Sequence, residues 1–320
     1  REAQNTRKRL KGDLQLECQR RWRGGPARWL RAAMVISADG KASFPGMLGT
    51  GGNDGQLDFT NNALQRLGDL FDLTTPEGNP RPLARERLEA ALFGEPHTSL
   101  VAGKIGQFGP GNAGGINTTS YSPLGTSRLN PWDLPLLLEG SLLFAAGTSR
   151  RLGAAGSERT AAPFCVHTTP VGAGSVARAD GNARGEQWLP LWRRPWSVSE
   201  LEALLGEGRC QLGARSAQSG LDTARAIARL GVARGITEFE RYGYFQRNGQ
   251  STFAVPLGRF TVRAEAQSRL LDDLEAFGWW ERLRRAAGGD EAPARLRQLE
   301  TRLGNDVMGV LQHGGEAVRW

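Results

Sequence analysis

Histidine and cysteine are nearly missing from this chain, with three of each in 320 residues. Cys18, Cys165 and Cys210 are odd in number and widely spaced, and no CxxC occurs. Neither a zinc ribbon nor a disulfide framework is supported, and a reducing cytoplasm is the expected compartment. His97, His167 and His313 leave little from which to build a histidine-based metal or acid–base site. No apolar run approaches the ~20 residues of a membrane span. The longest, 134–146, is interrupted by Pro135, Glu139, Gly140 and Ser141 and is expected to be a buried helix. No signal-peptide pattern is present. The chain opens at Arg1 and stops at Trp320, and it is expected to be a piece of a longer polypeptide.

Nucleotide-hydrolysing motifs are missing too. The glycine loop 49–55 is not followed by GK[ST], and Gly103-Lys104 is followed by Ile105. Nuclease chemistry needs carboxylates gathered round a metal. Asp58, Asp69 and Asp72 stand at helical spacings that suit caps or solvated positions, and no carboxylate–lysine pattern follows Asp54. Cys165 and His167 would share one face of a strand, a spacing that fits a core cysteine beside a satisfied histidine. The expectation is no catalytic residue, no metal and no cofactor.

What is abundant is arginine, and its placement is uneven. Residues 1–33 hold ten basic and three acidic side chains, so nearly the whole net charge of +8 sits there. Concentrated positive charge favours phosphate partners through counterion release. Only four of the 41 basic residues are lysine, at 8, 11, 41 and 104. Arginine suits bidentate contacts with phosphate or guanine, although a GC-rich genome yields the same bias. Residues 5–33 read as one or two helices broken near Gly24-Gly25-Pro26. Leu10, Leu14, Cys18, Trp22, Trp29 and Leu30 form their apolar stripe, with Arg20 and Arg21 among the basic positions.

Glycine is also plentiful, at 43 residues. Between Met47 and Asn62 it alternates with Asn and Asp. Such a loop turns backbone N–H groups toward a bound group without interference from Cβ, and Asn53 stands at its centre. A second permissive loop, 102–115, carries Lys104, Gln107 and Asn112. Further on, Trp188, Trp192 and Trp196 interleave with Arg184, Arg193 and Arg194, an arrangement that suits stacked bases and a sugar-phosphate backbone. Tryptophans at strand spacing fit a core equally well, so the arginines are the better contact candidates.

The pattern predicts an α+β fold. It is mostly helical, with short antiparallel hairpins, long Gly-rich loops and a C-terminal helical segment. Helices are expected at 58–71, 83–93, 134–146, from Glu200, at 214–230, 264–287 and 293–312. Hairpins are expected at 33–44 and at 242–256, the latter turning on Asn248-Gly249 with Arg247 exposed at its tip. Strands are expected at 164–168 and 187–192, and Ser197 or Ser199 should cap the following helix. Three regions follow: 1–156, with the basic helices and Gly-rich loops; 157–262, a mixed lobe; and 263–320, helical.

Four motifs in this order carry a family resemblance: the Met47–Asn62 loop, Asn130-Pro-Trp-Asp133, Arg184–Trp192 and Arg241-Tyr-Gly-Tyr-Phe-Gln-Arg-Asn-Gly249. Over about residues 34–262 the chain resembles the large subunit of the type I-G (formerly I-U) CRISPR effector complex, Cascade. The resemblance implies a non-catalytic subunit in antiviral defence. Such a subunit sits at the crRNA 5′ end, helps recognise the protospacer-adjacent motif, opens the target double-stranded DNA and holds its strands. Guide pairing reads the sequence. Implied partners are crRNA, target DNA, the backbone and crRNA-end subunits, and a recruited helicase-nuclease, with no membrane. A metal-dependent enzyme acting on nucleic acid and a purely structural scaffold subunit are the alternatives. Asn53 and Gln107 are assigned to base edges and Lys104, Arg193 and Arg194 to phosphate. Asn112, Arg184, Arg247, Arg20 and Arg21 complete the set of nucleic-acid contacts.

Lys104→Ala is expected to weaken DNA binding on every sequence and to flatten its salt dependence. Loss confined to one motif sequence would remove the phosphate role. Asn53→Ala should relax motif preference in a competition assay over motif variants, and unchanged preference would take Asn53 out of the readout.

Overall fold

Arg, Lys, Glu, Gln and Leu lose little rotamer freedom in a helix. They dominate α1 (Glu2–Arg21), which is followed by α2 (Gly24–Ala33). Gly24, at φ +61°, takes the left-handed turn between them, and Pro26 sits in the first turn of α2, where its missing N–H costs nothing. The computed structural model describes residues 2–36, 42–43, 47, 58–96, 99–102, 128–145, 147–149, 159–166, 183–206, 211–212, 215–217, 219–230, 235–247, 251–262, 276–289 and 291–313. After α2 come β1 (Val35–Ile36), β2 (Ala42–Ser43), α3 (Asp58–Leu70), α4 (Ala84–Phe93), β3 (Val101–Ala102), β4 (Arg128–Leu129) and α5 (Asp133–Ser141). Then follow β5 (Gly147–Ser149), β6 (Arg159–Ala161), β7 (Cys165–Val166), β8 (Ala183–Trp192), α6 (Val198–Gly206), β9 (Gln211–Leu212), β10 (Arg215–Ser216) and α7 (Gly220–Leu230). The last elements are β11 (Ile236–Arg247), β12 (Ser251–Thr261), α8 (Trp279–Ala287) and α9 (Ala294–His313). The fold is α+β with antiparallel pairing: among the described residues there are four two-stranded pairs and one four-stranded sheet in the order β12-β11-β8-β7.

The chain divides into two compact units, Arg1–Pro163 with Gln246–Ala254, and Phe164–Phe245 with Val255–Trp320. In the first, the motif Asn130-Pro-Trp-Asp133 works as a clasp. Asn130 Nδ2 donates to the Arg87 carbonyl at 2.7 Å, and the Trp132 indole N–H donates to the Ala84 carbonyl at 2.7 Å. The Trp132 ring meets Phe71 edge-on, with centroids 5.6 Å apart. The motif therefore fastens α4 to the start of α5. Pro131 precedes α5, and Pro135 occupies its first turn. The helix expected over 134–146 changes to a 3-10 turn at Leu142–Phe144.

The second unit is built round the four-stranded sheet. Trp188, Phe239 and Phe260 come from β8, β11 and β12. They share one core with Leu204 of α6, Leu221, Ala224 and Ile227 of α7, Trp280 of α8, and Val307, Met308 and Leu311 of α9. Burying each large side chain contributes about 1.5–3 kcal/mol. The C-terminal helices thus belong to the same core as the sheet, whereas the sequence reading sets 263–320 apart.

Two of the sequence motifs meet here as paired strands: Gln187 lies opposite Tyr242 and Trp188 opposite Arg241. Glu186 and Arg241 form a buried ion pair at 2.7 Å, with the guanidinium over the Trp188 ring at 4.8 Å. Burial pushes the Glu186 carboxyl up, and Arg241 draws it back. The Trp188 indole N–H also favours the ionised form, although it meets no acceptor at full hydrogen-bond geometry. The start of α7 closes over this carboxylate. A Cβ on Gly220 would stand 2.8 Å from the Glu186 carboxyl carbon. Because Arg241 pins that carboxylate, the clash outweighs the roughly 1 kcal/mol that alanine gains over glycine in a helix.

A second buried cluster ties the helices together. Asp222 of α7 accepts from Arg284 of α8 at 3.2 Å and from Arg225 at 3.4 Å. Arg284 also lies 4.0 Å from Glu300 of α9.

Several boundaries differ from the sequence reading, each for a local reason. The hairpin arm expected to end at Pro256 continues to Thr261, and β12 is an edge strand, the place in a sheet where a proline is tolerated. The helix expected from Ala214 begins at Gly220, where the Ser219 hydroxyl accepts the Asp222 N–H at 3.2 Å and residues 215–216 pair with β9 instead. Of the helix expected over 264–287, residues 264–275 lie outside the described residues; Ala276–Gly278 is a 3-10 turn with left-handed Phe277 and Gly278, and α8 follows it from Trp279.

Arg241→Met leaves Glu186 buried without its partner and is expected to cost about 3–5 kcal/mol in urea unfolding. Glu186→Leu/Arg241→Met should recover most of that loss. The single variant's deficit should shrink at low pH. A carboxyl raised further above its ordinary 4.5 costs nothing while protonated in both states, and the penalty appears as pH rises through that value. A pH-independent deficit would show that the carboxyl is not the cause.

Candidate nucleic-acid interface

Long aliphatic-stemmed arginines near a helix C-terminus meet its negative end. Arg20 and Arg21 are in the last turn of α1, both exposed. Arg21 pairs with Glu17. Arg23 turns back, its Nη1 donating at 2.8 Å to the carbonyls of Arg20 and Trp22. Arg20 makes no side-chain bond among the described residues. Of the apolar stripe that the sequence gives these helices, Leu10, Leu14, Trp22 and Trp29 are exposed, and Cys18 and Leu30 are half-buried. The end of α1 is therefore a solvent-facing cluster of guanidinium groups and an indole.

A second pair stands at the end of β8. Arg193 and Arg194 are exposed in the bend that leads from Trp192 to α6. The bend is held at both sides. Trp192 and Trp196 lie with ring centroids 5.5 Å apart, and Trp196 also packs on the core. Beyond it, Ser197 and Glu200 form a reciprocal capping box: the Glu200 carboxylate accepts the Ser197 N–H at 2.8 Å, and the Ser197 hydroxyl accepts the Glu200 N–H at 3.3 Å. Neither arginine makes an ion pair among the described residues. Two neighbouring positive charges on a braced bend can follow a phosphate backbone.

Two further predicted residues stand at strand ends. Arg184 lies near the other end of β8, about 30 Å away at strand rise. Arg247 closes β11, whose opposite end, Ile236, is the partner of Trp192. Asn53, Lys104, Gln107 and Asn112 lie outside the described residues, as do His97, His167, Cys210 and the Asn248-Gly249 turn. Trp188 is wholly buried and belongs to the core.

One feature went unnoticed in the sequence. Phe277 is 95% exposed and holds φ at +57°. It forgoes about 1.5–3 kcal/mol of burial and carries about 1–2 kcal/mol of left-handed strain. Trp279 beside it is exposed, as are Arg282 and Arg285 of α8. The run Phe-Gly-Trp-Trp, with a glycine set among large aromatics ahead of arginines, was the available signal.

For catalysis the described residues offer little. Among them no group of three His, Cys, Asp or Glu side chains is placed to hold a metal. Asp69 pairs with Arg66 at 2.8 Å, and Asp72 accepts the Thr74 hydroxyl at 2.6 Å, which holds its carboxyl below the usual range. Burial, assisted by the Glu186 charge, pushes the Cys165 thiol up to about 12. At neutral pH it is a thiol, not a nucleophilic thiolate. No described helix is long and apolar enough to cross a membrane. Compared with known proteins, the chain matches no family model and no curated sequence.

Cys165 is expected to stay unmodified during a brief maleimide pulse at pH 8 and to react once the chain is unfolded. Its contribution to stability should be intact below the thiol's ordinary 9.0 and should be lost as pH rises from there toward 12, because the unfolded chain ionises first. Rapid native labelling at Cys165, read by mass spectrometry, would contradict this.

Proposed function

We propose that this chain is a non-catalytic, nucleic-acid-contacting subunit of an RNA-guided complex, similar to the large subunit of type I-G Cascade. In this role it binds crRNA and target DNA in antiviral defence and works beside backbone and crRNA-end subunits and a recruited helicase-nuclease. The observation that carries the reading is the exposed Arg193–Arg194 pair, braced between Trp192 and Trp196. Arg20 and Arg21, beside the exposed Trp22, give it a second basic surface. Three of the four motifs behind the resemblance act inside the fold in this chain, one as the Asn130–Trp132 clasp and two as the Glu186–Arg241 pair. They support a shared architecture, and the contacts with nucleic acid fall to exposed arginines and the Gly-rich loops.

A scaffold role has one observation of its own. Leu10 and Leu14 of α1 are exposed, which suits a sister subunit better than a phosphate backbone.

The test is equilibrium binding of the full chain to duplex DNA over a range of salt. Arg193→Gln/Arg194→Gln removes two phosphate contacts and is expected to lower the slope of log K against log[salt] by about 1.8. An unchanged slope and affinity would assign the bend to solvent and leave the scaffold reading. Divalent-metal-dependent cleavage by the isolated chain would replace both with an enzyme.

A further inference from the structure

Aromatic side chains are rarely left bare in a strained backbone without a use for the shape. Phe277 is 95% exposed at φ +57°, and Gly278 follows at φ +66°. Two successive left-handed residues lift the Phe277 ring away from the core, where Trp280, only three positions on, is buried. α8 continues the same division. Its inward side holds Trp280, Arg284 and Ala287, of which Arg284 is bound to Asp222. Trp279 and Arg282, three positions apart, share the outward side, and Arg285 lies beside them. Arg282 and Arg285 make no ion pair among the described residues. The result is a projecting aromatic ring, a half-exposed indole and two unpaired cations on one short segment.

We propose that Phe277 is a stacking platform for an unpaired base of single-stranded nucleic acid, with Arg282 and Arg285 on the flanking phosphates. The ring offers a face that any base can cover, whatever its sequence. A paired base inside a duplex has no free face to give, so the occupant is single-stranded. The flanking positive charge selects a polyanion over an apolar protein pocket. Gly278 permits the turn that presents the ring, and the burial of Trp280 and Arg284 holds the helix behind it. The proposal rests on the nucleic-acid reading above, and it adds a site remote in sequence from Arg193 and Arg194. A displaced DNA strand and an RNA guide offer the same chemistry.

The test is fluorescence anisotropy of the full chain with labelled oligo(dT) and oligo(U). Phe277→Ala is expected to weaken binding by about 5- to 150-fold, the 1–3 kcal/mol of one base–aromatic stack. Its salt slope should stay that of the wild type, while Arg282→Gln/Arg285→Gln should flatten it. Phe277→Trp should bind as the wild type does. Phe277→Ala should melt no earlier than the wild type, because the ring it loses touches no core. Loss on oligo(dT) alone assigns the site to DNA, and loss on oligo(U) alone assigns it to RNA. Unchanged binding of Phe277→Ala to both, with the wild type binding normally, overturns the stack and gives the ring to a protein partner, while the nucleic-acid reading stands. A wild-type chain that binds neither oligonucleotide nor duplex DNA would end that reading, and the stack with it.

Discussion

A carboxylate taken out of water must find a cation and keep it, and in the second unit this requirement falls on Glu186. Its guanidinium partner, Arg241, comes from the neighbouring strand and lies over the Trp188 ring. A slip of one residue between β8 and β11 would send Arg241 to the other face of the sheet and leave the carboxylate bare. The pair therefore fixes the strand register. It also constrains α7, whose first residue must lack a side chain to pass over Glu186. Compared with a well-packed apolar pair, such an ion pair adds little net stability. What it supplies is a large penalty for every wrong alignment.

Surface chemistry depends on that rigidity. The bend carrying Arg193 and Arg194 follows directly on β8, so the register that Glu186 fixes also fixes where the two arginines emerge. Trp192, Trp196 and the Ser197–Glu200 box hold the bend from either side. Long, strongly hydrated side chains lose less freedom on binding when their backbone is already set. On the outer face of the sheet, Arg259 is spent on Glu240 at 2.7 Å. Arg193 and Arg194 at the strand end, and Arg282 and Arg285 on α8, make no ion pair among the described residues.

Much of the fold was legible in the sequence, and the exceptions have physical causes. Apolar periodicity located α3, α4 and α9 within a residue or two, and of the two serines read as the cap of α6 it is Ser197 that forms it. β7, β8, β11 and β12 were each recognised as extended, yet their assembly into one sheet was not. Pairing between residues 186 and 241 is a long-range event that no local pattern encodes. Pro256 ended the reading of β12 because a proline argues against a strand, and only the edge position makes it harmless. The site was less legible still. Charge composition pointed to Arg20, Arg21, Arg193 and Arg194 but cannot tell an exposed arginine from one like Arg241. Trp188 and Phe277 look alike in sequence, and only tertiary contact separates the core ring from the bare one.

The order in which the chain is synthesised gives the second unit an awkward youth. Trp188 emerges from the ribosome well ahead of Leu311, against which it finally packs. At about 5–20 residues per second, the interval is on the order of 6–25 s. Over the last part of it, once Phe260 is out, three strands carry Trp188, Phe239 and Phe260 under α6 and α7 but without α8 and α9, alongside a carboxylate and a guanidinium that have already found one another. A nascent sheet in this condition is a natural client for a chaperone. The polar pair at its centre gives the half-built layer a reason to wait in register and not to coalesce with its neighbours.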